Sequence, residues 1–369
     1  MLTLFFSALF IFLVTYLSYY LYVKKQIDKP WNLKVDREFE PEITILVPVH
    51  NEEKNIEPKL ENIKSVNYPL EKIEIIVVDD ASEDDTAPKV EAFIERNPNL
   101  NIKLIRQRFR AGKSAALNEA LKHSTKPIVI VSDADTRWPS DILRKALPYL
   151  ADPRVGAVTG RGINENSEKS WVTKAEDAYL QLANLLRLGE SKIYSTIRFE
   201  GGFCAYKRDV FEGFDCETGS DDSGTALEIV QNGYRTILVP NAVFYTSFPT
   251  SFMRKLRIKV RRANQLIGLW IKCLKLLLKG RLVLPKRIAI PEIILFVFSP
   301  IIFFIMAVTG IGIILFSPFS PLGLSLLLAV LFLLLVARQV FVEIVVDNFV
   351  LLSALVTFIF NRRYVAWEK

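Results

Sequence analysis

The sequence predicts an α/β domain with a mostly parallel sheet, set between apolar segments of membrane length. Three observations predict it. Short apolar strand patterns alternate with helical ones between residues 42 and 131. Each of three strand patterns is followed directly by a polar, mostly acidic cluster. The apolar half of the 369-residue chain is concentrated in long runs on either side of that stretch. Such a length exceeds one average soluble domain, which leaves room for both parts.

Residues 2–23 carry no charged side chain and match the ~20 residues that a bilayer core requires. No Lys or Arg precedes the run and no small-residue cleavage site closes it. It therefore reads as an anchor and not as a cleaved signal. Lys24, Lys25, Lys29 and Lys34 follow. Positive charge stays inside, so the next domain is expected in the cytoplasm.

Residues 42–49 form the first strand pattern and 51–63 a helix. Residues 72–79 are a second strand and 83–96 a second helix. Residues 101–105, 113–122 and 127–131 add a strand, a helix and a strand. Strands alternating with helices of this length mean crossover units and a parallel sheet. In such sheets ligands bind at the carboxyl ends of the strands. Pro48-Val49-His50-Asn51-Glu52, Asp79-Asp80-Ala81-Ser82 and Asp133-Ala134-Asp135 all fall there.

These residue types suit a nucleotide sugar. Its diphosphate must leave, and a divalent cation bridging the phosphate oxygens neutralises the charge that develops. Hard cations take oxygen ligands, often one or two carboxylates. Asp133 and Asp135 offer such a pair, although an isolated Asp-x-Asp is also a common solvated loop. Asp79 and Asp80 could accept from base and ribose. Capping the helix at 83 is their alternative, and Ser82 suits that role, which leaves the aspartates available. Lys113 follows Gly112 at the start of a helix, where a phosphate is favoured. Gly201-Gly202 would let a backbone approach a sugar, or would simply turn the chain. Asp221 and Asp222 open a helix, where an acid could act as general base or as a cap.

Composition excludes several classes. Two histidines and three cysteines without metal spacing argue against zinc and for reduced thiols. Arg110-Ala111-Gly112-Lys113-Ser114 lacks the upstream glycine of an ATP-binding loop, since position 107 is Gln. Residues 252–290 hold twelve basic and no acidic side chains, interleaved with apolar ones and with Trp270. That is the composition of helices in the headgroup plane, with Trp270 as an anchor. Because this run leads straight into an apolar segment, nucleic acid is not an expected partner. A transporter is disfavoured by the absence of internal repeats.

Taken in order, these motifs resemble the membrane-integrated family 2 inverting glycosyltransferases, the branch of polysaccharide synthases and lipid-linked glycosyltransferases. The resemblance covers residues 40–270 or so. It implies a GT-A fold, Rossmann-like and mostly parallel, with transmembrane helices and amphipathic interface helices. Pro48, Glu52, Asp79 and Asp80 match donor-nucleotide contacts, and Lys113 the base and phosphate side. Asp133 and Asp135 match the diphosphate and metal pair, which calls for Mn2+ or Mg2+. Gly201 and Gly202 match the sugar side. Asp222 matches the catalytic base, with Asp221 beside it. The implied reaction moves a sugar from a nucleoside diphosphate, expected to be UDP, with inversion. The acceptor is a membrane lipid or a growing polysaccharide. Where synthases carry Gln-x-x-Arg-Trp, this chain reads Lys259-Val260-Arg261-Arg262-Ala263-Asn264-Gln265. Arg261 and Arg262 keep charge for the diphosphate, but the stacking tryptophan is absent. A membrane protein that binds the nucleotide sugar without turnover is the alternative.

The expected organisation is an anchor at 1–23, a catalytic domain at 40–250, basic interface helices at 251–287 and a membrane region at 288–360 with two to three helices. Residues 288–316 and 321–337 are the long apolar runs, and 340–360 is expected to be partly interfacial or re-entrant. Asn361-Arg362-Arg363-Tyr364 is basic and expected inside.

Overall fold

A computed structural model of the protein describes residues 1–336 and 338–360. The basic stretch from Asn361 lies outside the described residues. The chain divides into two compact units. Of the described residues, one comprises 25–166 and 179–248; the other comprises 1–24, 167–178 and 249–360.

The first unit is built on a seven-stranded sheet of order β3-β2-β1-β4-β6-β5-β7. Helix α1 (Leu2–Ile27) precedes it. Then come β1 (Ile43–Val49), α2 (Ile56–Lys64), β2 (Ile73–Asp79), α3 (Thr86–Arg96), β3 (Asn101–Arg106), α4 (Lys113–His123), β4 (Ile128–Val131) and α5 (Ile142–Ala146). Strands β1 to β4 pair in parallel through β1, as the alternation predicts. Three further strands complete the sheet: β5 (Val155–Asn164), β6 (Cys204–Lys207) and β7 (Arg235–Thr246). Strand β6 is antiparallel to both β4 and β5. Strand β1 is buried along its whole length, as a parallel strand covered on both faces must be.

Two expected helices start late. Helix α2 begins at Ile56, because residues 50–55 turn, with Asn51 at φ +54°. Helix α3 begins at Thr86, and Ala81 has φ +56°. Pairing between β1 and β4 stops at Leu46 opposite Val131. Pro48 thus lies past the part of β1 with neighbours on both sides, where a residue without an N–H is tolerated.

The second unit is helical. It takes the start of α6 (Trp171–Ile193), then α8 (Phe252–Leu278), α9 (Lys286–Ile293), α10 (Ser299–Phe316), α11 (Pro321–Val336) and α12 (Arg338–Ile359). Helix α7 (Asp221–Gln231) belongs to the sheet unit. Three stretches are long and apolar enough to cross a membrane: Leu2–Ile27, Lys286–Phe316 and Phe341–Ile359. Helix α11 is apolar but shorter, so the last helix and not the one before it has spanning length among the described residues. Pro291 removes a helical N–H, and the helix widens to a π-turn over Ile294–Phe298 just beyond it.

Most of the basic run lies on one helix, α8, with Lys286 and Arg287 opening α9, and it corrects two expectations. Trp270 is not a headgroup anchor: it is 1% exposed and stacks on Phe296 with centroids 6.1 Å apart. Lys255 and Lys259 are not headgroup contacts either, because both are buried. They head a buried stripe that continues through Ala263, Ile267 and Trp270 at helical spacing. Lys259 Nζ lies 2.6 Å from Asp347, 3.1 Å from Glu343 and 3.4 Å from Glu176. Lys255 Nζ lies 2.9 Å from Glu343 and 3.6 Å from Glu176.

Candidate active site

The site builds up at the carboxyl edge of the parallel strands. After β2 the chain must turn at once, and Ala81 takes a left-handed conformation that a side chain disfavours. Asp79 holds that turn by accepting from the Ser82 N–H and the Ser82 hydroxyl. Asp80 holds the next loop. Its Oδ1 accepts from the Ala111 N–H at 2.7 Å and its Oδ2 from the Gly112 N–H at 2.8 Å. Both aspartates are buried. The expectation that Ser82 leaves them available is therefore corrected, because loop N–H groups and Ser82 itself use their oxygens. Gly112 sits at φ +91° as the cap of α4, a conformation that favours glycine. Glu52 accepts from Asn55 Nδ2 at 2.6 Å while its N–H donates to Thr86 Oγ1 at 2.7 Å.

Lys113, the first residue of α4, is the centre of the site. Its Nζ lies 2.8 Å from Asp133 Oδ1 and 3.2 Å from Asp221 Oδ2. Burial would lower its pKa, but Asp133, Asp221 and Asp222 outweigh that and hold it well above the usual lysine value. Burial pushes the Asp221 carboxyl up to about 6; Lys113 opposes this, while Asp222 and Asp133 add to it. Asp222 is half-buried. Its Oδ1 accepts from the Ser220 hydroxyl at 2.8 Å and the Ser223 N–H at 2.6 Å. One oxygen of Asp222 thus serves the helix start, while Asp221 turns to Lys113.

The antiparallel course of β6 delivers Gly201-Gly202 to the same place. The Asp133 N–H donates to Gly201 O at 3.0 Å. A Cβ on Gly201 would lie 2.5 Å from Lys113 Nζ and 2.7 Å from Asp133 Oδ2. A Cβ on Gly202 would lie 2.2 Å from the Phe244 ring. Both positions need glycine for space, which is a stronger reason than a turn. Asp135 is exposed and Asp133 half-buried. Arg261 and Arg262 lie on α8 in the other unit, half-buried and exposed respectively.

Sequence reasoning missed three side chains here. Lys59 is 2% exposed and lies 4.3 Å from the centre of the Trp138 ring. Trp138 Nε1 donates to Gly202 O at 2.7 Å. Arg187 is buried and pairs at 3.0 Å with Glu200, the residue before the glycines. For Lys59 a signal exists: it shares a helical stripe with the buried Ile56, Leu60 and Ile63.

The mixed sheet with its cluster at the carboxyl edge is the GT-A arrangement, and comparison with known proteins agrees. Residues 44–214 match the family model "Glycosyl transferase family 2". The chain is similar to mannosyltransferase PcManGT of Pyrobaculum calidifontis, solved in complex with GDP-Man and Mn2+. That match has a TM-score of 0.84 at 30% identity and covers 98% of this chain and 99% of the other. It is 29% identical over 208 residues to the beta-monoglucosyldiacylglycerol synthase of Synechocystis, covering 54% of this chain and 43% of that enzyme. It is 28% identical over 260 residues to the poly-beta-1,6-N-acetyl-D-glucosamine synthase of Staphylococcus aureus, covering 67% and 60%. The chain thus spans less than two thirds of either curated relative. A lysine bridging carboxylates from the turn after β4 and from α7, glycines required by space, and a structural match over 98% of the chain lead to one assignment: the chain is a sugar-transferring enzyme of glycosyl transferase family 2.

Proposed function

We propose that the protein transfers a hexose from a nucleoside diphosphate to an acceptor held at a membrane, with inversion at the anomeric carbon. One observation carries this reading. Lys113 ties Asp133, from the donor side, to Asp221, from the helix that also presents Asp222. In the proposed reaction Asp222 takes the proton of the acceptor hydroxyl as its oxygen attacks the anomeric carbon. The bond to the diphosphate breaks, and Lys113 lies where the departing charge would be balanced. Gly201 and Gly202 keep the sugar side free of side chains. Asp80 and Asp79 shape the loops around the nucleotide, with Pro48 and Glu52 beside them. Arg261 and Arg262 are further candidates for the diphosphate.

The residues present fit a divalent cation. Among the described residues no three His, Cys, Asp or Glu side chains form a ligand set. Asp133 and Asp135 offer two carboxylates, and diphosphate oxygens would complete the shell, as hard cations commonly require. Bound there, Mn2+ or Mg2+ would neutralise charge on the leaving diphosphate.

The GDP-Man bound to the full-length structural neighbour supports a guanosine donor over the uridine expected from sequence. The named activities of the two curated relatives support a lipid or polysaccharide acceptor. The three apolar helices support an integral membrane protein, and the lysines at the end of α1 and just beyond it support a cytoplasmic catalytic domain. The test is nucleotide release by detergent-purified protein, with GDP-Man, UDP-Glc and UDP-GlcNAc, with Mn2+, Mg2+ or chelator. One donor should be turned over in a metal-dependent way, and Asp222→Asn should lose about 10³-fold. Equal turnover by wild type and Asp222→Asn would reject the assigned base.

A further inference from the structure

Lys59 is the one lysine on the apolar stripe of α2. Its neighbours on that stripe, Ile56, Leu60 and Ile63, belong to the main core. A charged group in such a place is costly unless its donors are met. They are met by the chain just beyond the Asp133-Ala134-Asp135 motif. Lys59 Nζ donates to Thr136 O at 3.0 Å and to Thr136 Oγ1 at 3.4 Å. The third direction faces the Trp138 ring, a favourable place for a cation.

The partners of Lys59 are themselves tied to the site. Thr136 Oγ1 donates to Asp133 O at 2.9 Å. Trp138 Nε1 donates to Gly202 O. One turn further along α2, Asn62 makes a reciprocal pair with Trp138. Its Oδ1 accepts from the Trp138 N–H at 2.7 Å, and its Nδ2 donates to Trp138 O at 2.8 Å. Helix α2 therefore grips the turn 133–138 from behind at two successive positions. An apolar side chain at 59 would fill the core equally well, yet would leave Thr136 O without this donor. Among the described residues no carboxylate touches Lys59 directly. Burial pushes its pKa down to about 7, against the pull of Asp133 and Asp135. The amine is thus kept in the core at a cost that packing alone does not explain.

We infer that Lys59 is a positioning residue for the metal-diphosphate pair: through Thr136 and Trp138 it fixes the turn that presents Asp133 and Asp135. The inference rests on the reading above that these two aspartates hold the cation. It predicts an effect on cation binding that a simple loss of stability would not produce.

The experiment compares full-length wild type, Lys59→Met, Thr136→Val and Asp135→Ala in detergent. Free Mn2+ is followed by its electron paramagnetic resonance signal in the presence of GDP or UDP, and donor turnover is measured alongside. Lys59→Met should raise the half-saturating Mn2+ concentration about tenfold or more, the scale seen when groups supporting metal ligands are removed. Its turnover at saturating Mn2+ should recover to within about threefold of wild type, because a positioning role acts through occupancy. Thr136→Val, which is nearly isosteric, keeps the Lys59 bond to the carbonyl but loses the hydroxyl's bonds to Lys59 and to Asp133 O, and should shift the half-saturation in the same direction by about threefold. It carries the test if Lys59→Met does not fold. An unchanged or lower half-saturating Mn2+ concentration in the folded variants would overturn the inference, even if their stability fell. Asp135→Ala separates the two readings. If it abolishes Mn2+ binding while the variants at 59 and 136 bind normally, only the role of Lys59 falls. If Asp135→Ala binds Mn2+ like wild type, the metal assignment falls and takes this inference with it.

Discussion

Two clusters in this molecule are made of the same parts. In the sheet unit, Lys113 stands among Asp133, Asp221 and Asp222. In the helical unit, Lys255 and Lys259 stand among Glu176, Glu343 and Asp347. Charge and residue type do not separate them, but the space around the charges does. The sheet cluster is bordered by Gly201, where a Cβ would collide with Lys113 and Asp133. The helical cluster continues into an apolar seam of Ala263, Ile267, Val350, Ala354 and Leu355. Its lysines are buried by helices packed side by side. A site for chemistry keeps room for a ligand; a structural ion cluster closes around itself.

Substitution of each central lysine should break or sharpen that contrast. Lys259→Met leaves Asp347 without its lysine, while Lys255 still reaches Glu343 and Glu176, and removing one partner from a buried ion cluster costs about 3–5 kcal/mol. Protease resistance or thermal unfolding of the helical unit should fall accordingly. Lys113→Met should lower donor turnover about 10²–10³-fold, as loss of one preorganised charge does. Its stability should fall by less, about 1–3 kcal/mol, because Asp133 is partly exposed and the buried Asp221 can take up a proton once its lysine is gone. The opposite pattern, a stable Lys259→Met and an unfolded Lys113→Met, would exchange the roles assigned to the two clusters. Gly201→Ala is milder. Its Cβ meets the flexible end of Lys113, so the fold should survive while turnover drops about tenfold from misplacement.

The smallest effect is one of pH. The Asp221 carboxyl is raised to about 6, so its charged form is disfavoured in the folded protein. The sign follows: Asp221 charges as pH rises through about 6, and its contribution to stability falls as pH rises from the ordinary value of 3.8 to that point. The pH–rate profile of wild type should bend near that value, and Asp221→Asn should lose the bend. No comparable feature is expected from Lys259. Burial would lower its pKa, but Glu176, Asp347 and Glu343 hold it above the usual lysine range, so it stays charged wherever the protein is handled.

The parallel half of the sheet was legible because its strands and helices alternate with distinct periods. Strands β5 to β7 were not, because they follow no such alternation and β6 is short and reversed. The acidic motifs were legible as a set of strand ends. Which oxygens remain for a ligand was not, because Asp80 is used by N–H groups some thirty residues away. The basic run of α8 misled for a related reason. Lys255 and Lys259 look like surface charge until acids from α6 and α12 are brought beside them. Their position at the head of an apolar stripe was a local warning, as it was for Lys59 in α2. A lysine in phase with buried side chains is worth examining before its charge is counted toward the surface.

Lys255 meets Glu343 and Lys259 meets Asp347, so α8 and α12 run in the same direction. Parallel neighbours cannot be joined by a tight turn, and α9 to α11 occupy the connection. This imposes an order on biosynthesis. The lysines of α8 leave the ribosome well before the acids of α12. Until α12 is made, Glu176 is the one carboxylate of the cluster available to them. A nascent chain paused or cut ahead of Glu343 would carry two poorly matched lysines.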